Sequence, residues 1–428
     1  MPPKKRNRKR APNRTSTRRP VAEAARPESR NVRAEAHLAD LAATVGAGEN
    51  FRAELDEAVD ARHPLELLSL ASSILSALDP RTSAPEVTVN AFADALLDAG
   101  TRQTGALASV IAAMSGDDVL RERIQREVRS RRLPVPGWVR RIDQIEPSRA
   151  TAMPHPFGDG ESMAVEVRLP DDRVALAVAY VDHNLGTVVT DAFVMDDHLD
   201  HVLRHWHGAD GSGEREDRDL PLAQARARLT EAIDAGATTV PPLTSETWPR
   251  CRPLVEWVVS MMPPGGTGYA RPQWSAEELA DLTDRFASSS HVADLSEDDV
   301  RLVDLFIDFA TNHGPGDPLR WSPTSVELVL EWLSATVDTS PGSLEAAPEV
   351  LRAFVSFSHE ERGVTRDLTA QTLGAIEAHA PRFHDIVEGA EGDPSGQSAE
   401  ANQRMQEIAL RREVPRRGFP HAGQVGAR

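Results

Sequence analysis

A single cysteine, Cys251, stands among the 428 residues. One thiol excludes an intramolecular disulfide framework and any cysteine-based zinc finger, and it fits a reducing compartment. Lysine is nearly as scarce: Lys4, Lys5 and Lys9 are the only three, and every later basic residue is arginine. Aromatics make up 5% of the chain, and none precedes Phe51. Long apolar runs are missing as well. The nearest approach is Leu67 to Leu78, whose serines and flanking Glu66 and Asp79 mark a buried helix, far short of a membrane span of about 20 apolar residues. Arg18-Arg19 is not followed by the apolar segment of a twin-arginine export signal. Five prolines in the first 27 residues argue against the amphipathic helix of an organelle transit peptide. These absences predict a cytoplasmic protein with no membrane span.

What is present is length, charge and helical periodicity. A chain of 428 residues predicts two or three domains. The net charge of −18 is unevenly spread: residues 1–30 carry +9, which leaves −27 on the remainder. Residues 1–33 have almost no apolar content, so burial does not offset the entropy of ordering them, and a disordered basic tail is expected there. Residues 389–428 read similarly, as a disordered or weakly helical basic tail with one short helix at 398–413.

Residues 34–145 follow a helical pattern. After Pro64, tolerated in a first turn, Leu65, Leu67, Leu68, Leu70, Ile74, Leu75 and Leu78 are apolar around more than half the circumference, which predicts a central helix. Further helices are expected near 85–98, 102–114 and 117–131, the last polar and on the surface. Between 146 and 207 the period changes to two. Met163, Val165, Val167 and Leu169 mark a first strand, Val174 to Val181 a middle strand apolar on both faces, and Thr187 to Val194 a third. This predicts a small three-stranded antiparallel meander with a helix at 197–207 packed on it. The Gly- and charge-rich stretch 208–219 reads as a linker, and 220–388 as a second helical domain. Ser275/Glu278 and Ser296/Asp299 read as capping boxes, Ser322-Pro323 as a helix start, and Gly363 as a helix stop. The fold class expected is therefore α+β, predominantly α-helical.

The stretches Arg320-Trp-Ser-Pro-Thr-Ser-Val-Glu-Leu328, Ala347-Pro-Glu-Val-Leu-Arg-Ala-Phe-Val355 and Leu368-Thr-Ala-Gln-Thr-Leu373 carry helix caps and core positions. Over residues 320–380 the chain resembles the C-terminal helical part of uncharacterised actinobacterial proteins. The resemblance implies a helical unit and brings no activity to any residue.

Three constellations bear on chemistry. His198, His201 and His205 share one stripe of a helix, at a spacing that suits a divalent metal, and His183 on the preceding hairpin turn is a candidate fourth ligand. Against this, Leu199, Val202, Leu203 and Trp206 form the apolar stripe of the same helix, which leaves the histidines on its flank as ordinary boundary residues. The basic tail is the second candidate: Lys4, Lys5, Arg6, Arg8, Lys9, Arg10, Arg14, Arg18 and Arg19 suit phosphate backbones or an acidic partner, without an aromatic platform to read bases. The third is the loop Pro263-Pro-Gly-Gly-Thr-Gly-Tyr269, which follows a helix and lacks the Lys-Ser/Thr of a phosphate-binding loop, so it reads as a helix–helix connection. Cys251, between Arg250 and Arg252, reads as a residue at a helix start.

The leading expectation is a non-enzymatic interaction or scaffold protein, tethered by its basic tail to nucleic acid or an acidic protein partner, with no cofactor. The alternative is a metal-dependent hydrolase built on the meander and the His198/His201/His205 helix.

Overall fold

The computed structural model describes residues 27–46, 50–81, 85–170, 172–209, 217–239, 245, 247–336 and 344–389. Six helices come first: α1 (Pro27–Thr44), α2 (Phe51–Asp60), α3 (Leu65–Ala77), α4 (Val89–Ala99), α5 (Arg102–Met114) and α6 (Asp118–Ser130). Their limits follow local chemistry. Thr88 and Thr101 accept from backbone N–H groups of α4 and α5, and Gly100 ends α4 in the left-handed conformation. Helix α6 is polar except for Leu120, Ile124 and Val128, which recur every fourth residue and are buried, so it lies on the surface with one face inward. Helix α1 begins at Pro27, inside the stretch expected to be disordered, because proline suits a first helical turn.

A 3-10 turn at Val139–Gln144 leads into an antiparallel sheet. It contains β1 (Glu146–Pro154), β2 (Gly160–Arg168), β3 (Val174–Asp182), β4 (Val188–Met195) and β5 (Arg218–Leu220), in the order β4-β3-β2-β1-β5. The expected meander is β2-β3-β4; the sheet has two further strands. Strand β1, with the sequence EPSRATAMP, has little β-branched content and a bulge after Pro147, and β5 is only three residues long. Neither carries a local strand signal. Both exist because β1 finds the free edge of β2, and β5 that of β1, through pairs such as Ala150↔Val165 and Ala150↔Leu220.

The sheet is covered on both faces. Helix α7 (Leu199–Ala209) packs Leu199 and Val202 onto Met153, Ala164, Leu176 and Val178. The opposite face, with Met163, Val165, Val167 and Leu169, joins one continuous core with α8 (Leu222–Thr238), α9 (Trp248–Met261) and the N-terminal helices. The stretch expected as a linker at 208–219 therefore does not divide the cores. β5 belongs to the sheet, α8 and α9 belong to the first core, and that core runs to Met262. The physical reason is the apolar face of the sheet, which needs a cover that α8 and α9 provide.

The second core is separate. It is built by α10 (Ala276–Ala287), α11 (Glu297–Asp308), a π turn at Phe309–His313, α12 (Pro323–Thr336), α13 (Ala347–Arg362) and α14 (Arg366–Gly389). Phe286, Phe306 and Phe354 are fully buried at its centre, with ring centroids 5.2 to 6.3 Å apart. Both expected capping boxes form, and Gly363 ends α13 with a φ of 65°. Among the described residues no helix is long and apolar enough to cross a membrane.

Candidate functional site

Leu199 begins α7 with its N–H on the Glu166 carboxylate at 3.0 Å, and Asp197 accepts from the His198 N–H at 2.7 Å. The same carboxylates hold the first two histidines. His198 Nδ1 lies 3.7 Å from Glu166 Oε2, and His201 Nδ1 lies 2.7 Å from Asp197 Oδ2. His198, His201 and His205 are all exposed. His183 lies elsewhere. Its ring packs edge-on against Tyr269, whose hydroxyl reaches Met163 on the α8–α9 face of the sheet, while α7 covers the other face. The sheet thus separates His183 from the other three. Among the described residues no group of three or more His, Cys, Asp or Glu is placed to hold a metal ion. Lys4, Lys5, Arg6, Arg8, Lys9, Arg10, Arg14, Arg18 and Arg19 lie outside the described residues, as does the expected helix at 398–413.

Four segments that are distant in sequence meet at one end of β2 and β3. Glu161, buried on β2, accepts from the Tyr269 hydroxyl at 2.5 Å and pairs with Arg228 of α8 at 3.2 Å. The Arg228 guanidinium sits 5.1 Å from the Tyr269 ring centroid, a cation–π distance. His183 packs edge-on with the same ring, the centroids 5.1 Å apart, and shares a hydrogen bond with Thr187 Oγ1 at 3.3 Å. Burial, followed by the Arg320 guanidinium, pushes the His183 imidazole down to about 4, so it is neutral at pH 7. Burial also raises the Tyr269 hydroxyl above the ordinary phenol range, and the Glu161 carboxylate adds to this.

The glycine-rich loop delivers Tyr269 to this place. Gln224 donates to Gly268 O at 3.0 Å and accepts from Thr267 N at 3.2 Å, and Glu231 accepts from Tyr269 N at 2.8 Å. The loop is therefore clasped along α8, which agrees with its reading as a connection. Cys251 lies inside α9, where burial pushes the thiol up to about 11. A thiol held there is protonated at neutral pH.

Arg320, on the loop before α12, crosses from the second unit to the sheet unit. It donates to Gly158 O and, at 2.8 Å, to Asn184 Oδ1. Burial lowers its pKa, and the nearby Asp159 and Asp182 carboxylates work in the opposite direction. Its loop is pinned twice: Asp317 pairs with Arg362 of α13, and Trp321 O lies 3.1 Å from the buried His359 Nε2. Beside Arg320 an open cleft of about 480 Å³ runs between the β1–β2 turn and the end of α13.

Of this site, His183 stands out in the sequence as a candidate ligand, and Tyr269 only as the last residue of the glycine-rich loop. Glu161, Arg228, Tyr269 and Arg320 fall on four separate segments with no motif between them, and pairing by tertiary structure is what unites them. No family model, curated protein or solved structure matches the chain.

Proposed function

We propose that this chain is a non-enzymatic interaction protein whose basic N-terminal tail tethers an acidic folded body to nucleic acid. The observation that supports it most is the segregation of charge, +9 on residues 1–30 against −27 on the rest. Polycations of this density bind phosphate backbones through counterion release, with little sequence preference. The acidic body repels a duplex, which confines contact to the tail. The absence of an aromatic before Phe51 fits a segment that holds phosphates without stacking on bases.

The test is fluorescence anisotropy of a random-sequence duplex across a salt series. It compares the full chain with a full-length variant in which Lys4, Lys5, Arg6, Arg8, Lys9, Arg10, Arg14, Arg18 and Arg19 are all replaced by Gln. The reading expects binding by the parent alone, with log K falling steeply against log salt. Equal binding by both, or binding by neither at about 50 mM salt, sinks the tether to nucleic acid. Failure of both would move attention to an acidic protein partner.

A further inference from the structure

The cleft beside Arg320 is lined by three arginines from three separate elements: Arg218 of β5, Arg320 of the loop before α12 and Arg362 at the end of α13. Among the described residues that line it there is no carboxylate. Its apolar wall includes Phe157 of the β1–β2 turn and Leu319. At about 480 Å³ it falls within the roughly 300–1,000 Å³ of small-molecule sites, and like many of them it lies between two units of the fold.

Two of the guanidinium groups are fixed in advance. Gly158 O and Asn184 Oδ1 hold Arg320, and Asp317 holds Arg362. A guanidinium carries five N–H donors, so these contacts leave donors on each group for a ligand. Burial lowers the pKa of both arginines, against the pull of the Asp159 and Asp182 carboxylates near Arg320. A phosphate monoester presents three oxygens and nearly two charges, which matches convergent guanidinium forks better than a single carboxylate does.

We propose that this cleft binds a nucleotide-sized organophosphate, with Arg218, Arg320 and Arg362 around the phosphate and Phe157 and Leu319 against its organic body. This site is independent of the tail, and it joins the two units through one ligand.

Isothermal titration of the full chain tests it, with adenosine monophosphate and inorganic pyrophosphate as probes and adenosine as the uncharged control. The expected result is saturable binding of the monophosphate, one per chain, with Kd below about 1 mM, and binding of adenosine at least about tenfold weaker. Arg362→Gln and Phe157→Glu should each weaken the monophosphate at least about tenfold. Neither substitution removes an Arg320 contact directly, Arg362→Gln also releases one pin of its loop through Asp317, and circular dichroism with thermal melting verifies that each variant folds. The variant with nine neutral residues in the tail should bind the monophosphate as the parent does. The proposal is overturned if the monophosphate fails to saturate by about 5 mM, if both cleft variants bind like the parent, or if neutralising the tail abolishes binding. Pyrophosphate binding without the monophosphate overturns it too, since the organic body would then have no place.

Discussion

The Ser72 hydroxyl of α3 occupies a gap in α9 beside Pro253: it donates to Arg250 O at 2.6 Å and accepts from Leu254 N at 3.1 Å. A proline inside a helix removes one N–H and pushes the backbone apart, which frees neighbouring groups. Here a buried serine from another helix satisfies two of them. Asp79, two residues past the end of α3, pairs with Arg252 of α9, which adds an ion pair to the buried hydroxyl. Replacing Ser72 by Ala leaves a buried carbonyl and N–H unsatisfied and should cost about 1–3 kcal/mol, read as a lower urea midpoint at unchanged m-value. A variant as stable as the parent would show that α9 closes the gap unaided.

Gly266 lies against the first turn of α8. A Cβ there would stand 2.2 Å from Ala223 O and 2.7 Å from Gln224 Cα, both backbone atoms that cannot swing aside. Gly266→Ala is therefore expected to lift the loop off α8 and destabilise the protein by about 1–3 kcal/mol. Thermal melting measures the loss, and the hydrogen-exchange rate of the Tyr269 amide, which Glu231 holds, should rise with it. Gly265, in the left-handed region with open space around its Cβ position, provides a comparison in which only backbone strain acts.

The Glu161 carboxylate separates two kinds of contact. Tyr269→Phe removes a neutral donor and is expected to cost about 1–3 kcal/mol. Arg228→Met removes the counter-charge of a buried carboxylate and should cost more, about 3–5 kcal/mol. Urea denaturation of both variants checks the order. The reverse order would mean that the ion pair is already screened by solvent.

His183 should make stability depend on pH. Its folded pKa of about 4 lies below the usual 6.5, so the unfolded chain binds the proton more readily. Its contribution is complete above pH 6.5 and is lost as the pH falls toward 4. Desolvation dominates the shift. Arg320, Arg228 and Arg271 reinforce it, and Asp159 opposes it. His183→Gln should flatten the fall in stability between about pH 6.5 and 4, a difference on the order of a few kcal/mol. Paired denaturation curves of parent and variant at both ends of that window decide it; parallel curves would remove His183 as a source.

Much of the fold is legible in the chain because it is written locally. The central helix after Pro64, the capping pairs Ser275/Glu278 and Ser296/Asp299, the stop at Gly363 and the alternation of Met163, Val165 and Val167 each depend on residues within a few positions of one another. The flank position of the histidines in and just before α7 follows from helical spacing in the same way: Leu199 and Val202 are buried while His198, His201 and His205 are exposed.

The sequence by itself determined the predominantly helical class, the strand core and the concentration of positive charge at the N-terminus, since propensity, periodicity and composition act over short ranges. Only the tertiary structure decided that β1 and β5 are strands, that α8 and α9 belong to the first core, that His183 lies across the sheet from the α7 histidines, and that Arg320 reaches Asn184. Edge pairing, burial of a sheet face and the neutralisation of buried charge are satisfied by whichever segments arrive there, and local spacing does not specify the partner.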